Sequence, residues 1–151
     1  MKKVLPDAFA TKELGVVLAR SLPPGTVILL EGDLGAGKTT LVQGIGQGLG
    51  IRESIDSPTF TLINEYFEGR IPLYHLDLYR LEPPEVAALH LEHYWEGVET
   101  PLGIVAIEWA EKLTELPGQY LRISLNHQPD DTREIKIISM GQNLPRELEQ
   151  I

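Results

Sequence analysis

The stretch E31-G-D-L-G-A-G-K-T-T40 decides how the rest of the chain is read. Gly32 to Thr39 match G-x-x-x-x-G-K-[ST], in which glycines let backbone N–H groups converge on phosphate oxygens and the next helix turns its positive end to the same anion. The flanks have the character this requires. Upstream, TVILLEG (26–32) reads as a short strand buried on both faces, because four consecutive apolar residues leave no polar side. Downstream, Leu41, Ile45 and Leu49 recur at helical spacing, and Gly50 stands where a helix end favours a left-handed residue. A strand, a glycine loop and a helix in that order argue against a chance glycine-rich turn. The contiguous residues Gly32, Asp33, Leu34, Gly35, Ala36, Gly37, Lys38, Thr39 and Thr40 are therefore expected to bind a nucleotide. Lys38 would reach the β and γ phosphates and Thr39 would place its hydroxyl on Mg²⁺. Glu31 and Asp33 are out of place beside a polyanion. They are expected to be structural, hydrogen-bonded to neighbouring backbone, with Asp33 pointing outward.

Further out, TKELGVVLARSL (11–22) has Leu14, Leu18 and Leu22 on one helical face and ends at Pro23-Pro24-Gly25. Residues 60–80, FTLINEYFEGRIPLYHLDLYR, hold two strand-like runs around Glu68-Gly69-Arg70, a hairpin that makes the sheet mixed. PEVAALHLEHYW (84–95) is read as a short helical stretch opened by prolines. GIVAIEW (103–109) returns to a buried strand, and YLRISLN with REIKIIS, joined by HQPDDT, forms a second hairpin near the sheet edge. The expected fold is a single-domain α/β P-loop NTPase-like three-layer arrangement over residues 1–140, with a peripheral tail over 141–151.

Composition narrows the partners. Thirteen Lys plus Arg against twenty-two Asp plus Glu leave a formal charge of -9, which opposes broad contact with a nucleic-acid backbone or an anionic membrane. No contact with DNA or a membrane is expected, and any RNA would be held by a partner. The chain has no cysteine, no apolar run long enough to span a bilayer, and no secretory apolar core after Lys2-Lys3. A cytoplasmic location is expected.

Binding alone does not hydrolyse a nucleotide; a residue must also place the metal and another orient the attacking water. Glu108 ends the apolar strand Ile104-Val105-Ala106-Ile107, where open α/β sheets deliver side chains to the ligand crevice. The alternative is an ordinary surface acid at a strand end. Asp77 lies in YHLDLYR, where alternation puts His75, Asp77 and Tyr79 on one face and Tyr74, Leu76 and Leu78 on the other. The alternative there is a solvated strand face. His75 reads as a hydrogen-bonding or packing residue, since no second His or Cys shares a ligand spacing. Ser57-Pro58-Thr59-Phe60 enters the hairpin rigidly; Thr59 would sense the γ phosphate or its metal, or the segment is a simple ST turn.

Taken together and in order, GDLGAGKTT, SPTFTL, HLDLYR and IEW resemble the TsaE (YjeE) family of bacterial tRNA threonylcarbamoyladenosine biosynthesis ATPases, from about Pro6 to Ser139. The resemblance implies a small ATPase using ATP and Mg²⁺. It would work with TsaB and TsaD, which modify an adenosine of tRNAs reading codons that begin with A, and its hydrolysis would support turnover of that machinery without performing the transfer. It assigns Lys38 and Thr39 to phosphate and metal, and Asp77 and Glu108 to metal placement and hydrolysis. The catalytic set is then Lys38, Asp77 and Glu108, and the metal set Thr39, Asp77 and Glu108. Trp109 belongs to the same signature, and Asp7 and Thr132 lie where family members contact the nucleotide. Where the family commonly has Leu-Gly followed by a Glu-Glu pair, this chain has Leu89-His90-Leu91-Glu92-His93.

Rival functions remain in view. A small-molecule kinase uses the same loop but wants a lid of clustered arginines, and the seven arginines here are scattered singly. A GTP switch lacks its Asn-Lys-x-Asp guanine-reading segment. A nucleotide-dependent binding module with incidental hydrolysis would use the same residues.

Overall fold

A computed structural model describes residues 1–33 and 35–151. Seven strands form one sheet in the order β1-β7-β6-β2-β5-β4-β3. They are β1 (Lys2–Leu5), β2 (Val27–Glu31), β3 (Ile63–Tyr66), β4 (Leu73–Asp77), β5 (Ile104–Glu108), β6 (Tyr120–His127) and β7 (Arg133–Met140). The four central strands, β6, β2, β5 and β4, run parallel, and antiparallel partners flank them on both sides. The mixed α/β fold read from the sequence is the one observed.

Parallel strands need cover on both faces, and two apolar clusters supply it. On one face, Ile28, Leu30, Leu73, Ile104 and Ala106 meet helices α1 (Ala8–Ser21) and α2 (Lys38–Leu49) through Leu14, Leu18, Leu41 and Ile45. On the other, Val27, Leu29, Tyr74, Leu76, Val105 and Ile107 meet the short helices α3 (Pro83–Ala88) and α4 (Glu92–Glu96). Helices α1 and α2 touch backbone to backbone. A Cβ on Gly15 would lie 2.7 Å from the Ile45 nitrogen, and one on Gly44 would lie 2.8 Å from the Lys12 carbonyl carbon. That contact explains Gly44 and Gly48 in the glycine-rich run: side chains there would hold α2 away from α1, and with it the loop at its N-terminus.

Several details depart from the sequence reading. Residues 2–5 form an edge strand on β7, a segment too short to show alternation. The helical stretch 84–95 is broken between α3 and α4 at His90, whose φ of 51° is left-handed. Glycine adopts such a φ without the Cβ strain that a histidine carries there. The second hairpin is not confined to the edge: β6 pairs parallel with β2 at the sheet centre, and only β7 lies towards the rim. Glu31 is bonded to the side chains of Arg122 and Ser124 on β6, not to neighbouring backbone, because the parallel register sets Glu31 opposite Ser124. In the tail 141–151, Leu148 is fully buried in the cluster formed by α1 and the sheet.

Candidate functional site

Strands β4 and β5 end in register, and their C-terminal ends open onto a cleft of about 470 Å³ beside the N-terminus of α2. Gly35, Gly37, Lys38, Thr39 and Thr40 form one wall, Ser57, Thr59, Asp77 and Tyr79 a second, and Glu108, Trp109 and Arg133 a third.

The loop wall has the backbone an anion requires. Gly32 (φ 145°), Gly35 (φ 80°) and Gly37 (φ 107°) all have positive φ. At Gly32 space is also closed, since a Cβ would lie 2.5 Å from the Leu125 carbonyl oxygen. Gly37 caps α2 without any side-chain hydrogen bond, and the first turn carries no acid. The unsatisfied N–H groups that every helix start presents are thus left for a ligand. Among the described loop residues, Ala36 is buried in the core cluster, Gly32 and Asp33 line the opposite side of the loop from the cleft, and Asp33 is exposed. Leu34, expected in the same set, lies outside the described residues.

Lys38 is only 8% exposed, an unusual burial for an ammonium group. Its Nζ donates to the Gly32 carbonyl at 2.8 Å, lies 3.8 Å from Glu108 Oε1, and sits 5.1 Å from the centre of the Trp109 ring. Asp77 and Glu108 are register partners at the ends of β4 and β5, 5% and 4% exposed. Neither is the surface acid that spacing alone left possible. The Asp77 carboxylate accepts from the Thr59 hydroxyl at 3.0 Å and from the Tyr79 amide at 2.9 Å. Through Thr59, which also bonds Ser57 Oγ at 2.8 Å, the Ser57–Phe60 segment is held at the cleft wall. Trp109 follows Glu108 with φ 60° and ψ 42°, a strained left-handed conformation of the kind that clusters at functional sites. It turns the ring across Lys38 and against Tyr79, whose ring centre is 4.9 Å away.

Two expected nucleotide contacts are placed differently. The Asp7 carboxylate caps α1, accepting from the Ala10 amide at 2.9 Å, and does not line the cleft. Thr132 is turned to Asp130, with its hydroxyl 2.6 Å from Oδ1. Its neighbour Arg133, which sequence reasoning passed over, lines the cleft instead. Its Nη1 donates to the Asp131 carbonyl at 2.8 Å, its buried Nε has no partner among the described residues, and that Nε lies 3.8 Å from the Cβ position of Gly37. The signal lay in the hairpin: a basic residue opening β7 stands at the same sheet edge as the end of β2.

A phosphate-sized anion fits this donor set: open backbone amides at a helix start, a buried lysine and an orphaned guanidinium nitrogen. A hard divalent cation fits the oxygens of Thr39, Asp77 and Glu108, which face one cleft.

The profile of the family described as Threonylcarbamoyl adenosine biosynthesis protein TsaE matches residues 5–135. The chain belongs to the TsaE family. It is 60% identical over 136 residues to the tRNA threonylcarbamoyladenosine biosynthesis protein TsaE of a Nostoc species, covering 90% of this chain and 84% of that one. The protein of the same name from Bacillus subtilis is 45% identical over 132 residues, covering 87% of this chain and 80% of that one. The crystal structure of Bacillus subtilis YdiB superposes with a TM-score of 0.78 at 36% identity, covering 99% of this chain and 91% of that chain. No helix among the described residues is long and apolar enough to cross a membrane.

Proposed function

We propose that this chain is a Mg²⁺-dependent ATPase serving the tRNA threonylcarbamoyladenosine modification machinery, slow alone and stimulated by a TsaB–TsaD complex. The observation that carries the reading is the convergence of Lys38, Thr39, Asp77 and Glu108 on one cleft at the start of α2, in a chain of the TsaE family. When bound, MgATP supplies the phosphoanhydride and the charge-neutralising metal. The protein's own residues supply the rest. Loop amides and Lys38 hold phosphate oxygens, Arg133 adds a second cation, and Trp109 with Tyr79 shields the mouth. Thr39 and Asp77 are suited to the metal, and Glu108, at the back of the cleft, to the metal or to an attacking water.

A charge of -9 supports an indirect relation to tRNA, through partners that hold the nucleic acid. ATP turnover measured alone and with TsaB–TsaD tests the reading, with stimulation as the expected result. Unchanged turnover together with phosphorylation of a small acceptor would replace it with a kinase. Glu108→Ala should leave nucleotide affinity largely intact while abolishing turnover; loss of binding instead would mean that Glu108 acts mainly through the metal.

A further inference from the structure

His75 is fully buried two residues behind the acids on the same strand face, opposite Ala106, and does not line the cleft. Its Nε2 lies 2.7 Å from Glu108 Oε2. Its Nδ1 is buried and without a partner among the described residues. The other Glu108 oxygen, Oε1, is the one 3.8 Å from Lys38. The two carboxylate oxygens therefore have different neighbours: one faces the protein interior, the other the phosphate loop.

The chemistry assigns the proton. An ionised carboxylate only accepts, so the 2.7 Å contact needs N–H on Nε2. A second N–H on Nδ1 would be buried with nothing to receive it, a costlier arrangement than a bare ring nitrogen. The ring then presents its Nε2 proton to Glu108.

Resting on the ATPase reading above, we propose that His75 is the positioning residue for Glu108. It ties down Oε2, so that Oε1 alone is presented to the cleft in a fixed orientation. A glutamate has three side-chain rotors, and a carboxylate beside a buried lysine tends to follow that lysine. With Oε2 held by His75, Glu108 stays in place when Lys38 turns to phosphate, and Oε1 is released to take a metal or a water proton. Hydrogen-bond partners of this kind behind a functional carboxylate commonly cost about 10- to 100-fold when lost.

The test combines kinetics and spectroscopy on the full chain. In the presence of TsaB–TsaD, His75→Phe should lower kcat by about 10- to 100-fold. Its affinity for ADP, read by calorimetry, should stay within about 3-fold of wild type, a difference of under 1 kcal/mol. His75→Gln, which keeps an N–H donor, should recover part of kcat; a ring needed only for packing would not be rescued this way. Independently of turnover, nitrogen-15 spectra of the unliganded protein should show His75 as the Nε2–H tautomer with that proton shielded from exchange, and Glu108→Ala should abolish the shielding. A proton on Nδ1, or shielding that survives Glu108→Ala, overturns the positioning role, as does wild-type kcat in His75→Phe. A wild-type protein with no turnover under any condition instead overturns the ATPase reading itself, and the spectra then report whether the contact exists.

Discussion

Replacing Gly44 with alanine tests the packing that holds the phosphate loop in place. Considered only as a residue inside α2, Gly44→Ala should stabilise the protein by about 1 kcal/mol, the difference in helix propensity. The tertiary contact predicts the opposite sign. The new Cβ would lie 2.8 Å from the Lys12 carbonyl carbon and 3.0 Å from its Cα, and would press on the carbonyl oxygen as well. Carbon atoms pack no closer than about 3.5 Å at optimum, so the helices must part by roughly half an ångström or more. The obstacle is backbone, which no rotamer change relieves, and Leu14, Leu18, Leu41 and Ile45 at the same interface would lose contact. Overpacking of this kind costs about 3 kcal/mol at the upper end of the usual range. Set against the propensity gain, the net loss is about 2 kcal/mol, or a Tm lower by roughly 4–8 °C for a chain of this length. Thermal unfolding followed by circular dichroism measures it, with Gly118→Ala as the control: that Cβ meets nothing within 4 Å, and its effect should stay within about 0.5 kcal/mol. A Gly44→Ala protein that melts above wild type would refute the close crossing of α1 and α2.

Three further outcomes follow from the cleft and its surroundings. Lys38→Ala should weaken ATP binding by about 100-fold, the loss of two charge-assisted hydrogen bonds to phosphate, as measured by calorimetry; an affinity within about 3-fold of wild type would remove Lys38 from the phosphate site. Because the Trp109 ring stands 5.1 Å from Lys38 Nζ, adding nucleotide should change tryptophan emission in Trp95→Phe and leave it unchanged in Trp109→Phe. Burial, reinforced by the hydrogen bond its hydroxyl donates to Glu65, pushes the Tyr94 phenol up from 10.0 to about 12. The fold therefore favours the neutral phenol, so its contribution to stability is complete below pH 10.0 and is lost as pH rises towards about 12. Urea midpoints across that interval should fall less steeply in Tyr94→Phe, and an unchanged slope would count against the assignment.

The parts of the site that were legible in the sequence are those in which local pattern and chemistry coincide. A phosphate loop needs glycines, a lysine and a hydroxyl at fixed spacing between a buried strand and a helix, and each requirement is a residue type. Glu108 was legible as a candidate because it ends an apolar strand, and Asp77 because alternation sets it on one face with His75 and Tyr79, yet the alternative of solvated acids stayed open. Burial is a property of what packs above a residue. Arg133 and the capping role of Asp7 were not legible, since one depends on where a hairpin meets the end of β2 and the other on a single turn of helix.

By itself the sequence determined the central strands, the two long helices, the phosphate loop and the family, because these rest on short-range spacing and residue chemistry that survive in one dimension. The tertiary structure alone decided that β4 and β5 are register neighbours, with Asp77 beside Glu108 and His75 behind them. It also decided that Glu31 serves Arg122 and that glycines bring α1 against α2. Pairings between residues tens of positions apart come from sheet order and helix crossing, which are set by burying both faces of a parallel sheet at once.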